Sequence, residues 1–135
     1  MNWLENKKVL VVDDTTICNE LTVWQLKSMW IPNNNITVVT NWLDAVEAVR
    51  NATSWKMFDI ILMDIKMPWM NGIQTANQIL ALCWDKPPIV ALTANRYALD
   101  DPEAEVFSKM TLKPVDKKVL AAIIAALTAD SEDNI

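Results

Sequence analysis

Short, almost wholly apolar runs alternate along the chain with longer stretches in which apolar residues recur every three or four positions. The runs are Val9–Val12, "ITVVT" at 36–40, "FDIILM" at 58–63, "IVALT" at 89–93 and the weaker "KMTL" at 109–112. Their length and β-branched content predict five strands. Between the first two, Ile17, Leu21, Trp24 and Met29 recur at helical spacing, with Thr15 or Thr16 as a cap and Pro32 and the three asparagines after it as a stop. Leu43, Val46 and Val49 predict a second helix capped by Asn41, and Ile73, Ala76, Ile79, Leu80 and Leu82 a third that follows Gly72. Residues 97–108 read as helical but are interrupted by Pro102, and residues 116–128, "DKKVLAAIIAALT", predict a final amphipathic helix. The last seven residues, "ADSEDNI", are acidic and predict a frayed, disordered tail at 129–135.

Three of the strands are continuous apolar runs with no polar alternation. Such strands are covered on both faces, as in a parallel sheet. Five strand–helix units in alternation then predict an α/β fold, a doubly wound five-stranded parallel sheet with helices on both faces, over a single domain at residues 1–128. In sheets of this kind ligands bind outside the carboxyl ends of the strands, near the point where strand order reverses.

Composition narrows the chemistry. A chain of 135 residues, 52% hydrophobic, is long enough for one domain with a sizeable core. A formal net charge of −5 argues against a nucleic-acid surface on this chain. No apolar run approaches the roughly 18 residues of a membrane span, and the first run closes in Asp13-Asp14 where a signal peptide would have a small-residue cleavage site. Cys18 and Cys83 lack metal-ligand spacing and read as two buried thiols of a reducing, cytoplasmic compartment. The absence of histidine excludes any histidine-based catalysis or metal site within the chain. The single glycine removes glycine-rich phosphate loops. With no DNA-binding region after residue 128, direct transcriptional output is not expected of this chain.

The residues at the strand ends carry the chemistry. The first strand ends in Asp13 and Asp14, the third in Asp64, the fourth in Thr93, and the fifth in Lys113 followed by Pro114. Parallel strands share one carboxyl edge, so three carboxylates, a hydroxyl and an ammonium converge. Crowded carboxylates repel, and a hard divalent cation such as Mg²⁺, which takes oxygen ligands and phosphate oxygens together, relieves that repulsion. One carboxylate can then act as nucleophile toward a phosphoryl group, whose developing charge Lys113 and the cation stabilise while Thr93 donates a hydrogen bond. Asp64, on the central strand, is the candidate acceptor. Each residue has a plainer reading alone: Asp13-Asp14 as helix-capping residues, Asp64 as a turn residue before Pro68, Thr93 as a cap, Lys113 as a solvated lysine. Their coincidence at four strand ends favours the joint reading.

In "VLVVDD", "DIILMDIKMPWMNGI", "PPIVALTAN" and "LKPVD", in this order across nearly the whole chain, the sequence resembles the response-regulator receiver domains of two-component phosphorelay signalling. The resemblance implies a flavodoxin-like fold with strand order 2-1-3-4-5. It implies that Asp64 takes a phosphoryl group from a histidine kinase or histidine phosphotransfer protein. It further implies one Mg²⁺ held by Asp14 and Asp64 with the backbone carbonyl of Lys66, Asp13 acting mostly through water, Thr93 as switch hydroxyl, Lys113 as phosphate sensor, and a cis Lys113–Pro114 bond. The output would be an altered surface for a downstream protein or a fused domain. Three departures bear on that output: Met110 stands where the family carries an aromatic residue, the segment from Thr93 to Lys113 is short and lacks glycine, and Trp42 stands where many relatives have glycine. Trp69 lies in the loop after Asp64.

Other functions compete. A phosphatase or phosphotransferase with an aspartyl nucleophile would carry a second carboxylate two residues on, where this chain has Lys66. A pseudo-receiver that only docks would not need the full set of Asp13, Asp14, Asp64, Thr93 and Lys113. A flavodoxin-like cofactor carrier would need a phosphate-binding loop, which is absent.

Overall fold

A computed structural model describes residues 3–52, 58–65, 70–83, 87–94, 96 and 102–128. Five parallel strands, β1 (Val9–Val12), β2 (Ile36–Val39), β3 (Ile60–Asp64), β4 (Ile89–Thr93) and β5 (Lys109–Leu112), form one sheet in the order β2-β1-β3-β4-β5. Four α-helices are described: α1 (Thr16–Ser28), α2 (Trp42–Asn51), α3 (Met70–Leu82) and α4 (Lys117–Leu127). The doubly wound parallel sheet is the architecture expected from the run pattern. β1 pairs with both β2 and β3, which places the reversal of strand order beside it.

Alternate residues of the continuous apolar strands enter two separate cores. Leu10, Val12, Ile61, Met63, Ile89 and Ala91 face α2 and α3 and meet Ala45, Val49, Ile73, Ala76 and Ile79. Val9, Val11, Ile60, Leu62, Val90 and Leu92 face the other way and meet Leu26 of α1, Met29 just past its end, and Leu120, Ile123 and Ile124 of α4. The unbroken apolar run of β1, and of β3 and β4 up to Asp64 and Thr93, is therefore the mark of a sheet buried on both sides.

α1 departs from its periodic reading. Ile17 and Trp24 are 76% and 62% exposed and Leu21 is exposed too, whereas Asn19, Thr22, Gln25 and Leu26 are buried. The helix turns a polar face inward because those side chains satisfy backbone carbonyls: Asn19 Nδ2 donates to Asp13 O at 2.7 Å and Gln25 Nε2 to Val115 O at 2.9 Å. Likewise Leu43 of α2 points outward, 72% exposed, while Ala45, Val46 and Val49 are buried. Asn41 caps α2 as expected, its Oδ1 accepting from Asp44 N at 2.7 Å. Thr15 holds the cap position of α1 but makes no side-chain cap bond.

Boundaries shift in places. The third strand runs over Ile60–Asp64, two residues later at its start than expected, because Asp59 Oδ2 accepts from Lys8 N before the ladder begins. Gly72 lies inside the first turn of α3 rather than ahead of it, and Leu82 is exposed. Of the expected helix at 97–108, residues 97–101 lie outside the described residues, and Pro102–Val106 forms a 3₁₀ turn. A short 3₁₀ turn at Trp3–Asn6, not anticipated, buries Leu4 in the α1/α4 core. Residues 129–135 lie outside the described residues. Among the described residues no helix is long and apolar enough to cross a membrane.

Candidate functional site

The carboxyl ends of β1, β3, β4 and β5 lie along one edge. β3 and β4 are in register with Asp64 opposite Leu92, and β4 and β5 with Thr93 opposite Leu112. Asp64 is thus the last residue of a central strand and Lys113 the first residue beyond an edge strand, held there by its N–H donating to Thr93 O at 2.8 Å. The Lys113–Pro114 bond is cis, as the resemblance implies.

Asp13, Asp64 and Thr93 are buried, and Asp14 is exposed at the rim. Asp13 is fixed on several sides. Its N–H donates to Val39 O at 3.2 Å, its Oδ1 accepts from Thr15 N at 2.9 Å, its carbonyl accepts from Asn19, and its Oδ2 accepts from Lys113 Nζ at 3.1 Å. Lys113 also forms an ion pair with Asp64 Oδ1. A single ammonium therefore joins two buried carboxylates that arrive from different strands. Burial works against the charged form of Lys113, but hydrogen bonding and attraction to Asp64, and then to Asp13, outweigh it, so its pKa is raised above 10.5.

Carboxylate oxygens of Asp13, Asp14 and Asp64 all lie within 4.8 Å of one another. An all-oxygen, acid-rich donor set with one exposed member suits a hard divalent cation that keeps water ligands. Above it opens a cavity of about 260 Å³ lined by Val12, Asp13, Asp14, Thr40, Asn41, Trp42 and Asp64. The sequence pattern brought Asp13, Asp14, Asp64, Thr93 and Lys113 to one edge, and the structure places them there. Lys66 and Trp69 lie outside the described residues. The sequence pattern assigns no chemistry to Thr40, Asn41 or Trp42 and no buried role to Asn19. The available signals were a tryptophan directly after the second strand and an asparagine one turn into a helix.

Gly72 has a steric reason to be the one glycine. A Cβ there would lie 2.6 Å from Cγ2 of Ile65, the β-branched residue that follows Asp64, so α3 can approach the end of β3 only without a side chain. Cys18 and Cys83 form no disulfide; Cys83 is buried as expected, but Cys18 is only half-buried.

The fold and this donor set define an α/β domain with a carboxylate-centred site at the carboxyl edge of its sheet. The model of the response regulator receiver domain matches residues 9–125, and the chain belongs to that family, the receiver domains of two-component signalling. It is 30% identical over 131 residues to transcription factor SKN7 of Candida albicans, covering 93% of this chain and 22% of that protein. Among solved structures it is similar to the receiver domain of a sensor histidine kinase from Pseudomonas aeruginosa with a magnesium ion in its active-site cleft. That likeness has a TM-score of 0.74 at 24% identity, over 92% of this chain and 98% of the other. It is similar also to a chain in the complex of histidine kinase ThkA with response regulator TrrA of Thermotoga maritima, with a TM-score of 0.75 at 24% identity, over 91% of this chain and 99% of the other. The chain thus spans about a quarter or less of the length of the first curated relatives it matches.

Proposed function

We propose that Asp64 is the phosphoacceptor of a signalling switch that receives its phosphoryl group from a histidine kinase or a histidine phosphotransfer protein in the cytoplasm. The observation that carries this is the Lys113 ammonium joined to both Asp13 and Asp64 beside Thr93. That group is placed to meet the negative charge of a phosphoryl group bonded to Asp64. In the transfer, an Asp64 oxygen bonds to phosphorus, the bond from phosphorus to the donor imidazole nitrogen breaks, and the electron pair leaves with the imidazole, which is protonated from solvent. Asp13 and Asp14, with Asp64 and the Lys66 carbonyl, would hold one Mg²⁺, which supplies further positive charge to the phosphoryl oxygens. The magnesium in the Pseudomonas receiver supports that choice of cation. Lys113, drawn toward the new phosphate, would release Asp13, and Thr93 would donate its hydroxyl hydrogen to a phosphoryl oxygen. The two together bias the surface of β5 and α4 toward its partner-binding form.

Recognition by a kinase has a surface ready beside the site. A groove along α1 is lined by Val23, the exposed Trp24 and Val38 and shares Thr40 with the acceptor cavity. The histidine kinase bound in the ThkA–TrrA complex supports a kinase as donor. The switch turns over no external substrate: Lys66 stands where an aspartyl phosphatase would place its acid–base carboxylate. Incubation with acetyl phosphate and Mg²⁺, followed by intact mass, should add one phosphate to the wild type and none to Asp64→Asn. A stoichiometric adduct on another residue would overturn the assignment.

A further inference from the structure

Trp42 is the one aromatic side chain among the described residues lining the acceptor cavity, which it shares with Asp13, Asp14 and Asp64. Two constraints hold it in place. It is the first residue of α2, directly after the Asn41 cap, whose side chain accepts from Asp44 N and donates to Asp44 Oδ2 at 2.8 Å. It packs, half-buried, against the core formed by the sheet with α2 and α3. Its Cζ2 lies 3.9 Å from the point where a Cβ on Gly72 would stand, so the indole borders the first turn of α3 at ordinary contact distance. A large, rigid apolar wall therefore flanks a cavity whose charged lining groups are carboxylates.

We propose that Trp42 is a lifetime-determining residue of this receiver: its indole walls off the β2–α2 side of the acceptor cavity and slows hydrolysis of the phosphoryl group on Asp64. This rests on Asp64 as acceptor. Loss of the phosphate requires a water oxygen to bond to phosphorus while the bond from phosphorus to the Asp64 oxygen breaks. The carboxylate keeps the electron pair, and the water proton passes to solvent. The rate depends on how often a water molecule reaches phosphorus in line with that bond. An indole occupying one flank removes approaches that a small residue would leave open, and its apolar surface holds no water by hydrogen bonding. Lys113, ion-paired with Asp13 and Asp64, acts on the same group through charge, so the two residues act by different physics.

The test compares wild type, Trp42→Phe and Trp42→Ala, each phosphorylated with acetyl phosphate and Mg²⁺, freed of donor, and followed by intact mass. Trp42→Ala should lose phosphate about fivefold faster than wild type, a modest change in barrier since tenfold corresponds to about 1.4 kcal/mol, and Trp42→Phe within about twofold. If Trp42→Ala does not fold, Trp42→Val replaces it, keeping an apolar helix start without the reach of an indole. A second readout needs no phosphate: Mg²⁺ titrated into the unphosphorylated protein should change tryptophan emission, and Trp42→Phe should remove at least about half of that change, since the indole borders the charge that the cation neutralises. Equal decay in all variants, or an emission change of undiminished amplitude in Trp42→Phe, overturns the role of Trp42 and leaves Asp64 as acceptor. Failure of the wild type to take up phosphate overturns both.

Discussion

Scarcity of glycine shows at single residues. α1 ends in a Schellman arrangement, with Ile31 N donating to Leu26 O and Trp30 N to Lys27 O. The residue that must adopt left-handed backbone there is Trp30, at φ 73° and 70% exposed, where glycine is the usual choice. An L-residue in that conformation costs about 1–2 kcal/mol locally, partly offset in a glycine variant by the greater freedom of the unfolded chain. Trp30→Gly is expected to raise stability by about 0.5–1 kcal/mol, read as a higher urea midpoint at unchanged slope. A lower midpoint would show that the indole makes up the backbone cost through contacts in the groove it lines with Asn6 and Pro32.

The elements differ in how faithfully their patterns report their burial. Strands β1, β3 and β4 are apolar up to Asp64 and Thr93 and buried throughout, so pattern and burial agree. α1 is the reverse: its best apolar spacing lies on the solvent side, and its inward face is held by Asn19 and Gln25. Trp24→Glu should therefore change stability by less than about 0.5 kcal/mol, as for an ordinary surface site. Leu26→Ala, at a fully buried position, should cost about 2–5 kcal/mol. Both values come from one set of denaturation curves; a large loss in Trp24→Glu would mean that the exposed stripe is covered within the folded chain.

At the scale of the whole molecule, the bridge from Lys113 to Asp13 and Asp64 ties β5 to β1 and β3 across the functional edge. Its contribution to stability carries a pH signature. The folded pKa of Lys113 lies above the unfolded value, so the ion-paired lysine stabilises fully below the unfolded pKa, about 10.4, and that stabilisation is lost as pH rises through the folded value. In a metal-free buffer with chelator, the stability difference between wild type and Lys113→Met should be constant from pH 7 to about 10 and shrink above it. A difference already falling near neutral pH would mean that another group governs the bridge.

The chain by itself determined the class of fold, the number and place of the strands, and the groups delivered to their carboxyl ends. These follow from local rules: an apolar run marks a strand buried on both sides, and parallel strands share one edge, so Asp13, Asp14, Asp64, Thr93 and Lys113 could be brought together before any distance was known. Tertiary structure alone decided which face of α1 turns inward, because a polar residue is buried wherever a carbonyl awaits it, and Asp13 O and Val115 O lie distant in sequence or outside the helix. It decided too that Trp42 borders the acceptor cavity. That proximity joins the start of α2, the first turn of α3 and the ends of β1 and β3, and spacing along a chain carries no record of how closely two helices approach the same strand.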